Sequence, residues 1–171
     1  LNDRDVTGIP AHAMVQAGAA FVPQTNNVFP SLSIKENLEM GAFRRKEGTA
    51  DRMAALLGRF PDLATRPSEL AMRLSGGQRQ ALAMCRALML DPLLLLVDEP
   101  TAALSPVMRQ ELFAQIQSIR DSGVAVLMVE QNAREALAIS DRGYVLVNGQ
   151  VAVEQSGADL LGNPDVGRLF L

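Results

Sequence analysis

Apolar and polar residues change their spacing twice along this chain, and the changes divide it into three stretches. Residues 10 to 18 open at Pro10, which suits a first helical turn, and the apolar run Ala19 to Val22 then predicts a strand ended by Pro23. From Ser33 the spacing becomes helical. Ser33 with Glu36 forms a capping-box pattern that predicts a helix from Ile34 to about Ala42. Met53, Leu56, Leu57 and Phe60 recur at helical spacing and predict a second helix over 50 to 60, closed by Pro61. A third covers Gly77 to Leu90, with Ser75 as N-cap and Asp91-Pro92 as its stop.

After Leu93 strands and helices alternate. Leu93 to Val97 and Val124 to Val129 are short continuous apolar runs, the form of strands buried on both faces of a parallel sheet. Between them Ser105-Pro106 opens a helix with Met108, Leu112, Ile116 and Ile119 on one face. Ala133 to Ile139 predicts a further helix. Tyr144 to Val147 and Gln150 to Val153, joined by Asn148-Gly149, predict a hairpin, and 158 to 171 reads as two short helices. The expected fold is therefore α/β, with a parallel-sheet core split between residues 1–32 and 91–171 and an inserted helical subdomain over 33–90.

Composition narrows the function classes. With 171 residues, 48% hydrophobic and 20% charged, the chain can bury a real core. A formal charge of −3 and a pI near 5.2 give no global attraction to nucleic acid or an anionic membrane surface. The single cysteine, Cys85, cannot form an internal disulfide and fits a reducing compartment, the cytosol. The most apolar stretch, Ala87 to Val97, is broken by Asp91-Pro92 and falls short of the roughly 20 residues of a membrane span. The start at Leu1 has no signal-peptide pattern and no initiator Met, which supports a truncated start.

Two runs carry the chemistry. In Leu74-Ser75-Gly76-Gly77-Gln78 a helix N-terminus offers unpaired N–H groups, and two glycines let a phosphate approach the backbone. Taken alone, Ser-Gly-Gly is simply a capped helix. Asp98-Glu99 ends a buried parallel strand at the sheet edge where α/β proteins bind ligands. Alone, those acids are a solvated strand end. Together, with Pro100-Thr101 following, the runs resemble the signature and Walker B motifs of ATP-binding-cassette ATPases. That resemblance implies a P-loop NTPase (RecA-like) core, with ATP and Mg²⁺ as cofactors.

It further implies roles for individual residues. Asp98 would hold Mg²⁺, and Glu99 would polarise the attacking water as general base. Gln24, after Phe21-Val22-Pro23, matches the Q-loop, whose oxygen would touch the metal and the attacking water. Ser75, Gly76, Gly77 and Gln78 would bind nucleotide, as would Ser105, which stands in Ala102-Ala103-Leu104-Ser105 where the family's D-loop usually carries aspartate. The switch histidine is replaced by Gln131, which donates a hydrogen bond but takes no proton. His12 lies before the Q-loop and reads as a helix-surface residue.

Val129-Glu130-Gln131-Asn132, Asp141-Arg142-Gly143-Tyr144 and Val28-Phe29-Pro30 with Glu36-Asn37-Leu38 are similar to the ATPase subunits of branched-chain amino-acid importers. Urea and short-amide importers have very similar ATPases. The resemblance implies a second ATPase subunit, the same or different, and transmembrane permease subunits as partners, no nucleic acid, and a cytoplasmic place at the inner face of the membrane. A non-catalytic docking or dimerisation module is the alternative, and a soluble cassette ATPase of repair or translation ranks behind both. No G-x-x-x-x-G-K-[ST] stretch occurs in the sequence. The expectation is thus an incomplete core, the C-terminal part of a longer subunit, inactive alone, with apolar surface exposed beside the Leu93 to Val97 strand.

Overall fold

A computed structural model describes residues 1–164 of the protein. Its centre is a parallel sheet of β1 (Ala19–Val22), β2 (Leu94–Asp98) and β3 (Ala125–Val129), in that order. Register places Ala20, Leu95 and Val126 in one row and Val22, Val97 and Met128 in another. These rows face a core shared with α5 (Gly76–Leu88) and α6 (Pro106–Asp121), which pack on β1 and β3 respectively. The alternate row, Phe21, Leu96 and Leu127, faces the other way, and Phe21 and Leu127 are more than half exposed. The expectation of strands buried on both faces is therefore corrected: β3 alternates exposed and half-buried residues, because helices cover one face. The strand expected to have apolar surface exposed beside it, β2, is flanked on both edges, by β1 and β3, and the exposed apolar side chains lie instead on this open face of the sheet.

Local signals fix the helices between β1 and β2. Ser33 Oγ accepts from Glu36 N at 3.2 Å and Glu36 Oε2 accepts from Ser33 N at 2.7 Å, so α2 (Ile34–Gly41) starts on a full capping box. Packing places its end. A Cβ at Gly41 would stand 2.5 Å from the Arg86 carbonyl oxygen, so α2 and α5 approach closely where only glycine fits. α3 (Thr49–Leu57) stops short of the expected Phe60, and Pro61, expected to close it, instead opens the one-turn α4 (Pro61–Ala64). Proline's fixed φ suits a first helical position as well as it ends a preceding helix. α1 (Ala11–Gln16) is likewise shorter than expected, because Gly18 turns the chain at φ +100 into β1.

α5 is buried along most of its length, with Ala81 through Cys85 and Leu88 in the core. Burial pushes the Cys85 thiol up to about 12, so the nucleophilic thiolate is suppressed at neutral pH. A disulfide reagent at pH 8 should leave the native protein unlabelled and titrate one thiol per chain in denaturant. Rapid labelling without denaturant would show that α5 opens readily.

After β3 come α7 (Ala133–Ala138), the antiparallel pair β4 (Arg142–Val147) and β5 (Gln150–Ser156), and α8 (Gly157–Gly162). Asn148 and Gly149 both take positive φ, the geometry expected for a tight hairpin. The second of the two helices expected over 158–171 lies outside the described residues. Among the described residues, no helix is long and apolar enough to cross a membrane.

Candidate active site

Three parallel strands end side by side, and each delivers one amide or acid to the same point. Gln24 lies two residues beyond Val22 of β1, and Glu99 two beyond Val97, its register partner on β2. Glu99 adopts φ +41, a left-handed turn unusual for a side-chain-bearing residue, and its N–H donates to the Val129 carbonyl at 2.8 Å. That bond anchors the turn to the end of β3. The Glu99 carboxylate is then bracketed: Gln24 Nε2 donates to Oε2 at 2.7 Å and Gln131 Nε2 donates to Oε1 at 2.8 Å. Each oxygen keeps a further lone pair for a water proton.

An open cleft of about 410 Å³ lies over this carboxylate, lined by Gln24, Glu99, the loop Thr101 to Leu104, Arg109 and Glu130 to Asn132. Asp98, the last residue of β2, is half-buried, does not line the cleft and has no side-chain hydrogen bond or ion pair among the described residues. Its carboxylate and the Gln24 amide are hard oxygen donors of the kind Mg²⁺ takes. No group of three or more His, Cys, Asp or Glu is assembled for a metal among the described residues. The chemistry fits an ion that draws its other ligands from water and substrate phosphates, as Mg²⁺ commonly does.

The structure does not bring the other expected binding residues into this cleft. Ser75 Oγ accepts from Gln78 N at 3.3 Å while Gln78 Oε1 accepts from Ser75 N at 3.1 Å, a second capping box that starts α5. Gly76 and Gly77 sit against Leu104 and Met108, at the start of α6. Ser105 caps that same helix, its Oγ accepting from Met108 N at 3.4 Å. Ser75, Gly76 and Ser105 are solvent-exposed and do not themselves line the cleft, although Leu104, which Gly76 packs against and Ser105 follows, does. His12 is exposed on α1, as expected of a surface histidine.

Sequence reasoning passed over a polar cluster in the wall of the cleft. Thr101, 1% exposed, is held by Glu130, and Asn132 and Arg109 complete the set. A signal was available, since Glu130, Gln131 and Asn132 follow directly on the apolar run Val124 to Val129, and a half-buried acid there needs partners.

Parallel strands with an acid pair at their C-terminal edge and amides on either side make this an α/β protein with a polar cleft at the strand ends, the edge where such folds bind ligands. The pattern of the family described as "ABC transporter" matches residues 1–102, and the chain belongs to that family of ATP-hydrolysing transport subunits. It is 42% identical over 168 residues to the high-affinity branched-chain amino acid transport ATP-binding protein BraG of Pseudomonas aeruginosa, covering 98% of this chain and 72% of that protein. Identity to the probable branched-chain amino acid transport ATP-binding protein LivF of Archaeoglobus fulgidus is 43%, covering 100% and 73%. The lipopolysaccharide export system ATP-binding protein LptB of Escherichia coli is 31% identical, covering 100% and 72%. An ATP-binding cassette of an ABC transporter in its ADP conformation shares the fold, with TM-score 0.85 at 23% identity over 98% of this chain and 74% of that one.

Proposed function

We propose that this chain is part of the ATP-binding subunit of an importer of branched-chain amino acids, with Glu99 as the base that prepares water for attack on ATP. The observation that carries the catalytic assignment is the Glu99 carboxylate bracketed by Gln24 and Gln131 at the end of three parallel strands. Glu99 takes a proton from the water, Gln24 orients the carboxylate from one side, and Gln131 orients it from the other. Gln131 donates a hydrogen bond and exchanges no proton, so proton transfer falls to Glu99. Asp98, with the Gln24 oxygen, would hold Mg²⁺, whose charge neutralises the phosphate oxygens when bound.

Ser75 to Gln78 and Ser105 do not line the Glu99 cleft, and Ser75, Gly76 and Ser105 are exposed, which suits contact with ATP held mainly by a second ATPase subunit. In this proposal the phosphate-cradling loop is supplied from outside these 171 residues, 33–90 forms the helical subdomain between core segments 1–32 and 91–171, and the subunit sits against permease subunits at the cytoplasmic face of the membrane. The solute assignment rests on BraG and LivF, both named for branched-chain amino-acid transport and both above 40% identity. LptB, named for lipopolysaccharide export, is more distant. Reconstitution with the cognate permease and binding protein tests the assignment. Leucine, isoleucine and valine should stimulate ATP hydrolysis and urea or short amides should not; the reverse pattern would overturn the solute class.

A further inference from the structure

The loop that carries Gln131 is held by the residue beside it. Glu130 Oε1 accepts from Thr101 N at 2.9 Å and also from the Thr101 hydroxyl. Its Oε2 accepts from Asn132 N at 2.9 Å and from Asn132 Nδ2 at 3.4 Å. Asn132 Nδ2 in turn donates to Thr101 Oγ1 at 2.7 Å. One carboxylate thus joins the loop after β2, which bears Glu99, to the loop after β3, which bears Gln131. Every contact it makes is as an acceptor, the one pattern a carboxylate satisfies and an amide of the same shape does not.

We propose that Glu130 is the positioning residue that sets Gln131 against Glu99, and that Arg109 ties this setting to the Ser105 loop. Gln131 is exposed and its side chain has several rotatable bonds, so its 2.8 Å contact with Glu99 depends on where its backbone is held. Glu130 holds it on one side and Asn132 on the other. Arg109, one turn into the helix that Ser105 caps, donates to Asn132 Oδ1 at 3.0 Å and lies 3.4 Å from Glu135. Displacing the Ser105 loop moves the start of α6, and Arg109 carries that displacement to Asn132 and so to the Gln131 backbone. The proposal rests on the assignment of Gln131 as a partner of Glu99.

The test reads the position of Gln131 without turnover, so its failure is distinguishable from failure of the catalytic assignment. In the ¹⁵N-labelled 171-residue chain, the side-chain amides of Gln24 and Gln131 are assigned with Gln24→Ala and Gln131→Ala. Both should appear downfield and exchange slowly, because each donates to the Glu99 carboxylate. In Glu130→Gln the Gln131 signal should move to the free-amide position while the Gln24 signal stays. Thr101→Val, which removes the hydroxyl at nearly constant volume, should weaken the Gln131 signal in the same direction, and Thr101→Ser, which keeps the hydroxyl, should restore it. Thr101→Val decides the matter if Glu130→Gln does not fold. An unmoved Gln131 signal in the folded variants would overturn the proposal, and so would joint loss of the Gln24 and Gln131 signals, which would make Glu130 a structural residue only.

Discussion

Glu99→Gln abolishes steady-state ATP hydrolysis, by about 10²- to 10⁴-fold, in a subunit where this chain is joined to a phosphate-cradling loop, while ATP affinity stays within a few-fold. The substitution keeps shape and removes the basic oxygen. It also presents an NH₂ to one of the two amide donors, Gln24 or Gln131, that now reach the carboxylate at 2.7 and 2.8 Å, so one bracket is lost with the base. A loss of kcat without loss of binding belongs to an interaction made in the transition state. Single-turnover hydrolysis alongside binding of a fluorescent nucleotide separates the two. Unchanged kcat would remove Glu99 from the chemistry, and a parallel loss of affinity would make it a binding residue.

The largest effect on stability is expected from Leu82→Ala, at about 2–5 kcal/mol. Leu82 is 0% exposed at the middle of α5, and its neighbours Ala81, Ala83, Met84 and Cys85 are buried as well. Truncation leaves a cavity between elements already in close approach at Gly41, where small movements meet the Arg86 carbonyl. Against a typical domain stability of about 5–15 kcal/mol, this is a large fraction. Val107→Ala, on the exposed side of α6 at 65% exposure, is the control and should fall within about 0.5 kcal/mol of the parent. Urea unfolding followed by circular dichroism gives both values. Equal effects at the two positions would contradict the burial described for α5.

What the sequence made legible was local. Ser33 with Glu36, and Ser75 as an N-cap, place two helix starts, and the helices begin at Ile34 and Gly76, the latter one residue before the expected Gly77. The Asn148-Gly149 turn and the acid pair closing an apolar run are equally short-range signals, whereas the hydrogen bonds of Gln24 and Gln131 to Glu99 join residues on three different strand ends. The rest depended on partners distant in sequence. An apolar strand such as β3 reads the same whether one face is covered or two, since the covering helix is chosen by the fold. Pro61 is compatible with ending one helix or starting the next, and only the packing of Phe60 and Leu63 into the core selects the second. The Glu130 cluster spans 29 residues to Thr101 and 23 from Arg109 to Asn132, with no local period to announce it.

The most direct test measures ATP binding and turnover with Mg²⁺ for the 171-residue chain alone and for the same chain joined to a segment bearing a G-x-x-x-x-G-K-[ST] loop. The expected result is weak binding and no turnover by the chain alone, with tight binding and hydrolysis in the joined form, the latter abolished by Glu99→Gln. Tight binding and turnover by the 171 residues alone would contradict it, because the phosphates would then be cradled by residues other than those assigned.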